Sequence, residues 1–167
     1  MSATGVSKGQ RRIAVVLREI PPVREQLLVA LEGFGPEFAL ERFLAAARSP
    51  EVSERNRVTL VERLYEILLN WLHELASRAL AEGQRLGVVD NSPGRPWERL
   101  AALGVISHES AVRWRRAKEL RDILTHAYPP ANWRSLHENV LVLVQELDSY
   151  LAGIERWLLE EEILPPA

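Results

Sequence analysis

Apolar residues recur every three or four positions along most of the chain, the spacing that lines one face of an α-helix. A first helical stretch begins near Arg11, is interrupted at Pro21-Pro22 and resumes to Leu31. Gly33-Phe34-Gly35-Pro36 closes it, with glycine past the helix end and proline opening the next segment. A short helix over Glu37 to Ala47 is expected next. Ser49-Pro50 then supplies a cap and a first-turn proline for a long helix from about Glu51 to Arg85. Its Leu60, Leu64, Leu68, Trp71, Leu75 and Ala79 share one face, so one side of this helix is predicted to be core. The span 87–94, with Asp90-Asn91-Ser92-Pro93-Gly94 inside it, reads as a polar loop. A short helix from Trp97 to Leu103 stops at Gly104.

Ser107 caps the next helix, which runs to about His126 or Ala127. Val112, Ala117, Leu120, Ile123, Leu124 and Ala127 fall on one face of it, with Arg116 inside that apolar stripe as a snorkelling or ion-paired side chain. Pro129-Pro130 must end it, because a residue before proline is pushed out of the helical region. Asn132 caps a last helix to about Glu162, striped by Trp133, Leu136, Val140, Leu143, Val144, Leu147, Leu151, Ile154 and Leu158. No alternating period-2 segment bounded by turn residues is present. The pattern predicts an all-α fold, an up-down helical bundle with one or two short ancillary helices. Residues 1–10 are expected to form a disordered lead, 11–163 a single domain and 164–167 a tail. Leu141 and Val142 stand off the last stripe, either as a second face for a dimer or as scattered surface apolars.

Composition narrows the class. At 167 residues the chain suits one domain with one core. The absence of cysteine excludes disulfides, thiolate metal sites and cysteine nucleophiles. No apolar run approaches the roughly 18 residues of a membrane span, and the basic N-terminus lacks the apolar stretch of a signal peptide. A cytoplasmic location is the expectation. The formal charge is −2, but five basic residues and one acid between Arg113 and Arg121 make that segment +4 and leave −6 elsewhere. Such a concentration suits phosphate or a polynucleotide backbone. It equally suits a solvated helix face paired with acids of neighbouring helices.

The end of the same helix carries the chemistry. Arg121, Asp122, His126 and Tyr128 fall within eight residues. Arginine is a permanent cation whose fork of donors can hold phosphate, and the histidine pKa suits proton transfer near neutrality. On an ideal helix Arg121 and His126 diverge by about 140°, a restriction that fraying of the last turn would lift. A histidine that only caps the helix is the plainer reading. His73, His108 and His137 are read as structural or solvent-facing. Trp114 is read as a ring able to stack on a base, and Trp71, Trp133 and Trp157 as core or its margin.

The run Arg121-Asp122-Ile123-Leu124-Thr125-His126-Ala127-Tyr128 resembles the Arg-x4-His-x-Tyr motif of HepT-like toxins, members of the HEPN superfamily. The likeness extends from about Arg24 to Leu158 and takes in the long helix around Glu74-Leu75-Ala76, the polar loop, Leu103-Gly104-Val105-Ile106 and the Asn132-capped helix. It implies a homodimer whose two motif helices face one another across a cleft, and metal-independent RNA cleavage there without a cofactor. Carried over, His126 assists attack by the 2′-hydroxyl or protonates the leaving 5′-oxygen, and Arg121 stabilises charge on the phosphate. Asp122, where the family most often has Asn, orients one of them. Arg113, Arg115 and Lys118 are the candidate RNA-binding cations. The resemblance makes the chain the toxin of a type VII-like toxin–antitoxin pair, silenced when a partner MNT-type nucleotidyltransferase adenylylates Tyr128. The alternative is a non-catalytic nucleotide- or substrate-binding subunit of a nucleotidyltransferase complex. Asp122 in place of Asn, and Lys118-Glu119 where small or apolar residues are usual, depart from the family pattern.

Overall fold

The computed structural model describes residues 5–84, 89, 92, 94–126 and 132–164, the span 123–126 by its backbone alone. Six α-helices follow one another: α1 (Lys8–Glu32), α2 (Leu40–Arg48), α3 (Val52–Gly83), α4 (Arg95–Ala102), α5 (His108–His126) and α6 (Trp133–Glu160). Among the described residues there is no strand, so the fold is an all-α helical bundle. Nor is any described helix long and apolar enough to cross a membrane.

Residues 8–10, expected to belong to the lead, are part of α1. Ser7 caps α1, accepting from the Gln10 amide at 2.9 Å while the Gln10 side chain accepts from the Ser7 amide at 2.7 Å. This reciprocal box fixes the helix start at Lys8. Nor do Pro21 and Pro22 interrupt α1. Both are exposed, while Ile13, Val16, Ile20, Leu27 and Leu31 stay buried. Packing of that stripe on α3 outweighs the break. The short second helix begins at Leu40 rather than Glu37, because Glu37 and Phe38 adopt positive φ angles of 57° and 52°. Ser49 ends α2 as its C-cap, and α3 starts at Val52 without a side-chain cap.

Helix α3 packs against α1, α2, α4, α5 and α6. It is buried on more than one side: Val58, Val61, Leu64, Tyr65, Leu68, Leu69, Leu72, Leu75, Ala76 and Ala79 all lie in the core. Leu60 departs from the expected stripe and is half exposed, while Trp71 is partly buried. Two buried tyrosines tie the layers together. The Tyr65 hydroxyl donates to the Ala117 carbonyl of α5 at 3.1 Å. Trp97 Nε1 donates to the Tyr150 hydroxyl at 2.9 Å, and that hydroxyl donates to the Leu72 carbonyl at 2.9 Å. This chain of bonds docks α4 onto α3 and α6.

The turn between α4 and α5 is tightly specified. Gly104 at φ 75° lets the Val105 amide reach back to the Leu100 carbonyl at 2.9 Å and its own amide to Ala101 at 3.0 Å, the double closure of a Schellman end. Gly153 of α6 packs against this turn, since a Cβ there would lie 2.8 Å from the Val105 carbonyl oxygen. The polar loop expected over 87–94 lies largely outside the described residues. In α6, Leu141 and Val142 are half-buried within the chain, Leu141 packing on the core beside Val144.

Candidate functional site: the cationic helix α5

Ser107 starts α5 as expected, accepting from the Ser110 amide at 3.0 Å. The buried side of the helix is formed by Ala111, Trp114, Ala117 and Leu120. Trp114 is thus not available to stack on a base: it is 2% exposed, with its ring 4.9 Å from Tyr150 and 6.3 Å from Trp97. Burying Trp114 rotates α5, so that Arg116 does not sit in an apolar stripe. It is exposed, and among the described residues it has neither an ion pair nor a hydrogen bond.

The remaining cations are engaged. Arg113 pairs with Glu146 of α6 and lies 3.6 Å from Glu109. Arg115 bridges Glu98 of α4 and Glu119 of its own helix, each at 3.1 Å. Gly94 gives it room, because a Cβ there would stand 2.9 Å from Arg115 Cδ. Two of the three candidate RNA-binding cations therefore hold helices together, as the plainer reading of the basic stretch had it.

A second group forms one turn further on. The Arg121 Nη1 donates to Asp122 Oδ1 at 2.8 Å, and Lys118 Nζ lies 3.9 Å from the same oxygen and 3.5 Å from Asn70 Oδ1 of α3. Burial chiefly, and then the Arg121 charge, lower the Lys118 ammonium pKa, with Asp122 opposing them. The formal charges of Lys118, Arg121 and Asp122 themselves sum to +1. The Arg121 side chain is 24% exposed, so it combines partial desolvation with access. Asp122 stands where it can orient Arg121.

The backbone stays α-helical through His126, so fraying does not lift the divergence of about 140° between positions 121 and 126. The side chain of His126, and Tyr128 altogether, lie outside the described residues. Position 126 shares the helix register of 115, 119 and 122, which differ from it by whole turns to within about 40°.

Sequence reasoning missed the α4–α5 groove and the buried Glu62, while its reading of the other histidines as structural or solvent-facing holds. A groove of about 690 Å³ between α4 and α5 is lined by Glu98, Ala101, Ala102, His108, Ala111, Val112, Arg115, Arg116 and Glu119; its walls come from two helices whose facing sides no periodicity specifies. Glu62 of α3 is 5% exposed, its Oε2 has no hydrogen-bond partner among the described residues, and burial followed by the Glu66 charge raises its pKa. Its position between Val61 and Leu64 was the available signal. His73 and His137 are both buried: His73 Nε2 bonds the Ser92 carbonyl at 3.0 Å, and His137 stacks on Phe38 with Nε2 at 2.6 Å from the Phe38 carbonyl. These two are structural, while His108 is exposed.

A family model described as ribonuclease HepT-like matches residues 38–154. No curated protein and no solved structure matches. The matched span takes in α2 to α5 and most of α6, including every described residue of the cationic helix, and leaves α1 outside. Since it covers well over half of the chain and the bundle has the all-helical order expected of it, the chain belongs to the HepT-like family of ribonucleases in the HEPN superfamily.

Proposed function

We propose that the protein is a HEPN-type endoribonuclease toxin acting as a homodimer, with Arg121 and His126 as its catalytic residues. The observation that carries this reading is the Lys118, Arg121 and Asp122 group, which holds a half-desolvated positive charge at the motif position of a HepT-like chain. RNA contains its own nucleophile. The 2′-oxygen loses its proton and bonds to phosphorus as the bond to the 5′-oxygen breaks, and His126 moves a proton at one of these two oxygens. Arg121 stabilises the extra charge on the phosphate. The divergence of positions 121 and 126 along one helix gives the dimer a chemical purpose, because a cleft between two α5 helices offers each scissile phosphate groups from both copies.

Control falls to Tyr128. A partner nucleotidyltransferase of the MNT type transfers AMP from ATP to the tyrosine oxygen with release of pyrophosphate. The bulky anion, two residues from His126, then fills the cleft and neutralises Arg121. The test is expression of the chain alone in bacteria beside His126→Ala, with RNA cleavage by the purified dimer. Harmless wild type with intact RNA, or toxicity unchanged in the variant, overturns the reading. Incubation with the partner and ATP should add AMP by intact mass to wild type and not to Tyr128→Phe.

One observation favours a second reading. Asp122 already occupies Arg121 at 2.8 Å, which suits a non-catalytic subunit that only binds nucleotide or substrate for a nucleotidyltransferase. That protein would bind RNA and leave it uncut.

A further inference from the structure

The groove between α4 and α5 is not part of the motif cluster, and its chemistry is different. Small apolar side chains line it, Ala101 and Ala102 of α4 with Ala111 and Val112 of α5. Glu98 and Glu119, both paired with Arg115, also line it and offer their carboxylates as acceptors. Arg116 and, two turns toward the helix start, His108 complete the lining. Arg116 is the one cation of the basic stretch without an ion pair or hydrogen bond among the described residues. An apolar lining beside a guanidinium and two carboxylates suits a planar base with donor amino groups and an attached phosphate. The volume of about 690 Å³ lies within the range of small-ligand sites.

Position along the helix gives the groove a direction. Residues 108, 112, 115 and 119 occupy one strip of α5, and the same register continues to 122 and 126. Position 126, not 121, lies on that register, and from Arg116 to position 126 the helix rises about 15 Å, on the order of two phosphate steps in an extended single strand. Resting on the ribonuclease reading above, we propose that the α4–α5 groove is a nucleotide subsite for single-stranded RNA, in which Arg116 binds a phosphate of the strand about two steps from the cleaved bond and the alanine-valine lining takes its base.

The experiment measures fluorescence anisotropy of a labelled 2′-O-methyl oligoribonucleotide, which lacks the 2′-hydroxyl needed for cleavage, against the full-length protein. Arg116→Ala should weaken binding about tenfold at low salt and Arg116→Glu more. Each phosphate contact contributes about 0.7 to the slope of log affinity against log salt for a single strand, so the slope should fall by about 0.7. With cleavable RNA, KM should rise in parallel while kcat stays within about twofold, the signature of lost uniform binding. Unaltered affinity and slope in both variants overturn the proposal, as does a fall in kcat at constant KM. Arg116→Glu that splits a dimer while binding the oligonucleotide normally makes the groove a subunit contact and also overturns it. Wild type that cuts no RNA, yet binds the oligonucleotide through Arg116, removes the ribonuclease reading and leaves the groove an RNA-binding site.

Discussion

Replacing Tyr150 by Phe removes one buried oxygen that serves two helices at once. Trp97 Nε1 donates to it and it donates to the Leu72 carbonyl, both at 2.9 Å, and the residue is 3% exposed. Leu72 lies inside α3, so its carbonyl keeps its helical bond when the hydroxyl goes. The fully buried Trp97 has no such second partner, and its N–H is left unsatisfied. A lost bond costs about 0.5–1.5 kcal/mol and an orphaned buried donor about 1–3 kcal/mol, which together give about 1.5–4.5 kcal/mol. At about 2–4 °C per kcal/mol for a domain of this size, the midpoint should fall by about 3–18 °C. Tyr65→Phe is the internal control. Its hydroxyl donates to the Ala117 carbonyl inside α5, which keeps its helical bond as well, so the expected loss is only about 0.5–1.5 kcal/mol. Thermal melts followed by far-UV circular dichroism would compare the two. A Tyr150→Phe protein that melts no lower than Tyr65→Phe would refute the account of how α4 is docked.

Three other outcomes rest on named groups. Burial and Glu66 raise the Glu62 pKa, so the native state holds that proton more tightly than the unfolded chain. The stability it contributes is full below the unfolded carboxylate pKa and is lost as pH rises through the raised native value. Glu62→Met should therefore raise the midpoint at neutral pH and lose that advantage toward about pH 4; a pH-independent difference would count against this. Glu74 behaves oppositely, its pKa lowered first by the hydrogen bond from Arg12 and further by Arg78. Its contribution is present above the unfolded pKa and fades as pH falls, so in thermal melts Glu74→Gln should cost about 1 kcal/mol at neutral pH and little in acid. Asp122→Asn removes the carboxylate 2.8 Å from Arg121 and 3.9 Å from Lys118. Oligonucleotide affinity at low salt should rise about two- to tenfold, and weaker binding would show that Asp122 positions Arg121 rather than neutralising it.

Local signals marked the helices where they were strong. Ser107 capped α5, Gly104 ended α4 and the stripe of α6 was buried at Leu136, Val140, Leu143, Leu147, Ile154 and Leu158. They misled where a local preference met tertiary packing. Pro21 and Pro22 read as a break, but they face water on a helix whose other side is clamped to α3. Leu60 read as core, although α3 turns it outward while burying Glu62 and His73. The α5 stripe read through Val112 and Arg116 was turned by the burial of Trp114, whose large ring fits between Trp97 and Tyr150. A rotation of that size is invisible in a stripe interrupted by so many charges.

The sequence by itself determined the all-α class and offered the Arg121 to Tyr128 run as the candidate motif, because periodicity, capping residues and motif spacing are properties of neighbours along the chain. The tertiary structure decided how the charge of the basic stretch is used. Glu98, Glu146 and Asn70 reach α5 from three other helices, so Arg113 and Arg115 become struts, Lys118 is partly desolvated and Arg116 is left facing the groove. Formal charge is additive along a sequence, but its availability to a ligand depends on which opposite charges the fold brings within a few ångströms, and those come from residues distant in the chain.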